Sequence, residues 1–202
     1  MSTLRFADVR RRFGRLAVLN GVSGAVGPGE MLLVTGPNGS GKSTLLRCLS
    51  GLLAPDAGTI EYREGDLDVG AAGRRRRAGV VAPDLAFYAE LTVAENLEFF
   101  ARLRRVPPAR GLAVLARLEL PLDRLAGTLS SGMRQRLRWA WALLHSPRLL
   151  LLDEPFQNFD APGERVAREL LAEHLAAGGL AVVANPSTLE FTDVAGRLDL
   201  GR

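Results

Sequence analysis

At 202 residues, with 47% of them apolar and a net charge of +4, the chain has the size of one domain and enough apolar material for a substantial core. No apolar run reaches the ~18 residues that would cross a bilayer, and the single cysteine, Cys48, excludes an internal disulfide and any cysteine metal cluster. The small basic excess is compatible with an anionic membrane surface or nucleic acid but demands neither. Met1-Ser2-Thr3-Leu4-Arg5 leads straight into a strand pattern with no signal peptide, so a cytosolic location is expected.

Leu4-Arg5-Phe6-Ala7-Asp8-Val9 alternates and predicts a strand; a second falls around Leu16–Val26, with Asn20-Gly21 as a turn or bulge. After the turn Pro28-Gly29-Glu30, the apolar run Met31-Leu32-Leu33-Val34-Thr35 predicts a buried strand. It feeds Gly36-Pro37-Asn38-Gly39-Ser40-Gly41-Lys42-Ser43-Thr44, which fits G-x-x-x-x-G-K-[ST], and a helical pattern follows. Gly36, Gly39 and Gly41 permit backbone that a Cβ would hinder, so that N–H groups can turn onto phosphate oxygens at a helix N-terminus. Lys42 brings a slim point charge to the β- and γ-phosphates; it is the only lysine in the chain. The Ser43 hydroxyl suits Mg²⁺.

Gly51 closes that helix, residues 55–58 make a turn, and residues 59–62 a short strand. Residues 63–77, with Arg74-Arg75-Arg76-Arg77, read as a solvated loop, the alternative being contact with lipid headgroups or an acidic partner. Gly79-Val80-Val81-Ala82 reads as a buried strand. Thr92-Val93-Ala94-Glu95 is a capping box that starts a helix bearing Val93, Leu97, Phe100 and Leu103 on one side. Pro107-Pro108 stops it, and residues 109–118 form a second amphipathic helix. Leu149-Leu150-Leu151-Leu152 has the continuous apolarity of a central parallel strand. Pro162 opens a helix to about Ala177, Leu180–Ala184 is another buried strand, and residues 196–200 form an edge strand.

The leucine run delivers Asp153, which can hold Mg²⁺ through water, and Glu154, which can polarise an attacking water. Upstream, Leu129-Ser130-Ser131-Gly132-Met133 begins a helix. Small polar residues at a helix N-terminus make a second anion site, or an ordinary serine cap. One nucleotide does not need two such sites within one chain, whereas a symmetric pair of chains does.

In this order the motifs resemble the ATP-binding subunit of an ABC transporter over essentially the whole length. The resemblance makes residues 36–44 the Walker A motif, residues 129–133 the signature, Leu149–Asp153 Walker B and Glu154 the catalytic carboxylate. Asp160 falls in the D-loop, and Phe13 stands where the family stacks a ring on adenine; core packing is its alternative. The implied fold is α/β: a P-loop NTPase core of RecA-like ABC type with a mixed sheet, antiparallel N-terminal strands and an α-helical subdomain. Residues 1–83 and 148–202 would form the core and residues 84–147 the helical subdomain.

The implied function is an ATPase motor. Two copies would close head-to-tail around two Mg-ATP and drive a separate transmembrane permease from the inner face of the membrane, with no nucleic-acid partner. The permease groove is expected near residues 83–90 and the helical insert, with Phe87, Tyr88, Phe99 or Trp139 as contacts, or as core. The chain departs from the family twice. Pro83 or Asp84 replaces a glutamine after the strand at residues 80–82, and Asn185 replaces a histidine after Leu180–Ala184. Asn185 can donate a hydrogen bond but no charge, so slow or conditional hydrolysis is expected. The short length and Glu154-Pro155-Phe156 are similar to heme-exporter ATPase subunits. The alternative class is a soluble assembly ATPase, such as one of iron–sulfur biogenesis.

Overall fold

The computed structural model describes residues 1–185 and 194–201. In chain order these form β1 (Ser2–Phe13), β2 (Leu16–Val26), β3 (Met31–Thr35), α1 (Lys42–Ser50), β4 (Ala57–Glu64), β5 (Leu67–Asp68), α2 (Ala71–Arg77) and β6 (Gly79–Val81). Then follow α3 (Val93–Arg104), α4 (Ala109–Arg117), a 3₁₀ turn (Ala126–Thr128), α5 (Ser131–Leu143), β7 (Leu149–Asp153), α6 (Ala161–Ala176), β8 (Leu180–Ala184) and β9 (Gly196–Asp199). Pro186, which ends the last buried run in sequence, lies outside the described residues.

Parallel and antiparallel strands separate into two sheets. The antiparallel sheet has the order β2-β1-β4-β5; the parallel one has the order β6-β7-β8-β3-β9. Every residue of β7 and β8 is buried, as expected of strands covered on both faces. Because side chains alternate along a strand, each central strand feeds two cores. Leu33, Leu150, Leu152, Ala181 and Val183 face the core built with α3, α4, α5 and α6. Leu32, Val34, Leu149, Leu151, Leu180 and Val182 face α1 and the antiparallel sheet. Cys48 is buried in this second core.

Several local expectations hold. The register of β1 with β2 slips between Val9 and Arg10, and Gly21, at φ 79°, takes up the slack as a bulge. Thr92 Oγ1 accepts from the Glu95 N–H at 3.2 Å while the Glu95 carboxylate accepts from the Thr92 N–H at 2.8 Å, closing the capping box. β9 is the parallel edge strand beside β3.

Residues 63–77 depart from the expected solvated loop. They carry the end of β4, then β5 and α2, and Arg74 is buried. Its guanidinium donates to the carbonyls of Leu49 (3.0 Å), Ile60 (3.1 Å) and Val69 (3.4 Å), tying the end of α1 to β4 and the approach to α2. Buried carbonyls require a donor, and a planar fork can serve three at once. Nothing local distinguishes Arg74 from the three arginines after it.

Candidate functional site

The phosphate loop begins where β3 ends. Gly36 (φ 141°) and Gly41 (φ 101°) lie in backbone regions that disfavour side chains, and a Cβ on Gly41 would sit 2.8 Å from the Val18 carbonyl oxygen of β2. α1 starts with no side-chain cap and no acidic residue in its first turn, leaving its N–H groups for a ligand. Lys42 is buried, and its Nζ donates to the Gly36 and Pro37 carbonyls at 2.7 and 3.0 Å. The ammonium thus crosses its own loop. The Ser40 Oγ is buried with no hydrogen-bond partner among the described residues.

α1 packs against β7, although β8 lies between β3 and β7 in the sheet. Ser43 on α1 thereby hydrogen-bonds Asp153 at the end of β7. Burial pushes the Asp153 carboxyl above its usual range and Glu154 and Asp84 add to this, while the Ser43 bond and Lys42 oppose it. One hydroxyl and one carboxylate fit Mg²⁺, which keeps waters and takes further oxygens from phosphate. Among the described residues no trio of acidic, histidine or cysteine side chains forms an all-protein cage.

Glu154 follows with left-handed backbone (φ 47°), its N–H donating to Ala184 O at 2.9 Å. Asn185 follows β8 beside the loop strand, its N–H donating to Val34 O at 3.0 Å. The side chain is buried, and its Nδ2 has no acceptor among the described residues. Lys42, Ser43, Asp153, Glu154 and Asn185 therefore converge on the phosphate-loop end of the parallel sheet.

The remaining candidates form a second group. Ser130 caps α5, its Oγ accepting from the Met133 N–H at 3.2 Å. Ser130 and Ser131 are exposed, and Gly132 and Met133 half-buried. Asp160 caps α6 by accepting from the Gly163 N–H at 3.0 Å and pairs with Arg136 at 2.7 Å. The Gly163 bond, with Arg136 assisting, holds its carboxyl below the usual range. No hydrogen bond or ion pair among the described residues joins residues 130–133 to the chain's own phosphate loop. Phe13, at the tip of the β1–β2 hairpin, is 48% exposed under the Arg11 guanidinium, 5.0 Å from the ring centroid, so core packing does not explain it.

The aromatic candidates divide. Tyr88 and Phe99 are exposed and meet edge to face at 4.9 Å. Trp139 is fully buried and is no surface contact: its helical position faces the core, where Nε1 donates to Pro155 O at 2.8 Å. Three polar residues escaped the sequence reading. Asn96 is fully buried and holds the loop before α3 through Tyr88 N, Tyr88 O, Leu91 O and Thr92 O. Gln135 and Arg138 of α5 reach the Glu154 turn and the loop after β6. Only a polar residue inside an apolar helical stripe could have signalled Asn96.

Beside the phosphate loop lies a recess of about 50 Å³, lined by Ser43, Arg47, Asp84 and Asp153 among others. A cleft of about 900 Å³ lies elsewhere, between α2, α3 and the end of α5.

A glycine-rich loop between parallel strand and helix, with buried Asp153 and adjoining Glu154 at the same sheet end, defines a P-loop nucleotide-binding domain. The chain belongs to the ABC transporter family, whose profile matches residues 19–157. It is 37% identical over 209 residues to an Fe(3+) ions import ATP-binding protein of Rhodococcus jostii, covering 98% of this chain and 60% of that protein. It is 40% identical over 182 residues to a cytochrome c biogenesis ATP-binding export protein of Cupriavidus necator, covering 88% and 80%. The structure of a putative ABC transporter ATP-binding protein from Pyrococcus furiosus superposes with a TM-score of 0.81 at 24% identity, covering 98% and 97%, and shares the fold. The chain spans only about three fifths of the Rhodococcus protein's length.

Proposed function

We propose that this chain is the ATP-hydrolysing motor subunit of an ABC transporter. The observation that carries the reading is the convergence of Lys42, Ser43, Asp153, Glu154 and Asn185 at one sheet end. Lys42 would exchange its two loop carbonyls for β- and γ-phosphate oxygens. Ser43 and Asp153 would hold Mg²⁺, which when bound neutralises phosphate charge. Glu154 would take a proton from the attacking water, and the Asn185 amide would donate to the γ-phosphate. Phe13 would stack on adenine.

The open loop surface and the exposed N-terminus of α5 favour a head-to-tail pair of chains. In that pair Ser130, Ser131, Gly132 and Met133 of one copy would close on the triphosphate held by the other, with Asp160 at the seam. Closure would pull a separate membrane permease, and hydrolysis would reopen the pair. Residues 84–147, which carry α3, α4 and α5, would be the helical subdomain that meets the permease, placing the chain on the inner membrane face. Relatives named for import and for export match alike, so the cargo is left open. Without a histidine at Asn185, turnover would be slow or conditional.

The test is Mg-ATP added to the wild type and to Glu154→Gln. The variant should bind without hydrolysing and run as a dimer in light scattering, while the wild type releases phosphate. A monomeric variant under saturating Mg-ATP would overturn the motor reading. Co-purification of a membrane protein separates transport from a soluble assembly role.

A further inference from the structure

The glutamine expected after β6 is absent, and Pro83 and Asp84 stand in its place. Pro83 has no N–H, and Asp84 is held by Arg47 of α1 at 2.5 Å. Their loop is nonetheless wired to Glu154 from the other side. Arg138 of α5 donates through Nη2 to Pro83 O at 2.5 Å and through Nε to Leu85 O at 3.4 Å. Its Nη1 donates to the Oε1 of Gln135 at 3.1 Å. Gln135 Nε2 then donates to the carbonyls of Glu154 at 3.2 Å and Pro155 at 2.9 Å.

The arrangement leaves little freedom. Gln135 is buried with both amide hydrogens and its oxygen engaged, so the network itself sets its orientation. Trp139, one turn on, adds its indole bond to Pro155 O. The left-handed backbone at Glu154 persists only where its surroundings over-determine it. Here the Glu154 N–H bond to Ala184 O and the Gln157 N–H bond to Glu154 O supply part of those surroundings and α5 the rest, and Arg138 makes the α5 part depend on the loop after β6.

We propose that Arg138 is a positioning residue: through Gln135 it sets the Glu154 turn according to the position of the loop at residues 83–85. The route runs from backbone to backbone, from the Pro83 carbonyl to that of Glu154. It rests on the reading of Glu154 as the proton acceptor. A partner that displaces the loop would slacken or tighten the turn without touching nucleotide.

The test compares the full chain with Arg138→Leu, Gln135→Leu and the double variant. Backbone hydrogen exchange in residues 153–159 should speed up about tenfold in Arg138→Leu, with the phosphate loop unchanged. Hydrolysis should fall in kcat by about tenfold or more, with KM for ATP within about twofold. The double variant should be no worse than the poorer single one, because both cut one route. Arg138→Lys, which cannot fork to three acceptors, should lie between; it carries the test if Arg138→Leu does not fold. Unchanged exchange, a KM that moves with kcat, or multiplying effects would overturn the relay. If the wild type does not hydrolyse ATP, the parent reading fails and the exchange measurement alone decides the relay.

Discussion

Gly132 at the start of α5 touches the segment that follows Glu154: a Cβ on Gly132 would sit 2.6 Å from the carbonyl oxygen of Asn158. Asn158 is itself left-handed, at φ 64°, so the segment is already bent. The helix start and the segment therefore fit as one unit. Gly132→Ala should destabilise the chain by ~1–3 kcal/mol, because backbone and not a pliable side chain must move. Urea unfolding reads this directly; an unchanged midpoint would mean that the contact yields freely.

Lys42 owes its present position to two loop carbonyls at 2.7 and 3.0 Å, inside a buried pocket. A bulkier guanidinium does not fit that cage. Lys42→Arg and Lys42→Ala should both weaken ATP binding by at least about tenfold in a fluorescent-nucleotide titration. Near-normal affinity for Lys42→Arg would show that the loop opens more widely than its carbonyl contacts imply.

The Asn185 amide, unpaired among the described residues, carries no charge. Asn185→His should raise phosphate release severalfold, and Asn185→Ala should lower it, each at saturating Mg-ATP. Equal turnover in all three proteins would remove this position from the chemistry.

His145 packs beneath the end of α5, its ring nitrogen Nε2 3.2 Å from Arg77 O. Burial, reinforced by Arg104, lowers its pKa from 6.5 to about 4. The unfolded chain therefore binds this proton first as pH falls. Stability is fully present above pH 6.5 and declines toward about pH 4, by an amount on the order of 3 kcal/mol at most. Buried His174, also depressed mainly by desolvation, acts in the same direction. Denaturant melts at stepped pH should show that slope, and His145→Gln should flatten it.

Much of the site was legible because it is local. The phosphate loop, the Thr92–Glu95 capping box and the leucine strand ending in Asp153 and Glu154 each depend on spacing within a few residues. Trp139 was open to two readings because helical periodicity places it on a side without saying what covers that side; Pro155 does. Asp160 read as part of the D-loop, and within one chain it serves as the cap of α6.

What the sequence alone determined is the phosphate-loop pattern and the carboxylate pair: a lysine in a glycine loop and two acids after an apolar strand require no knowledge of distant neighbours. The tertiary structure decided which carbonyls needed donors. Arg74 answers those of Leu49, Ile60 and Val69; Asn96 answers those around Tyr88; Arg138 and Gln135 answer those of Pro83, Glu154 and Pro155. A buried carbonyl must be paired wherever the fold leaves it, and the residue that pairs it is set by packing across the chain, which no local pattern records.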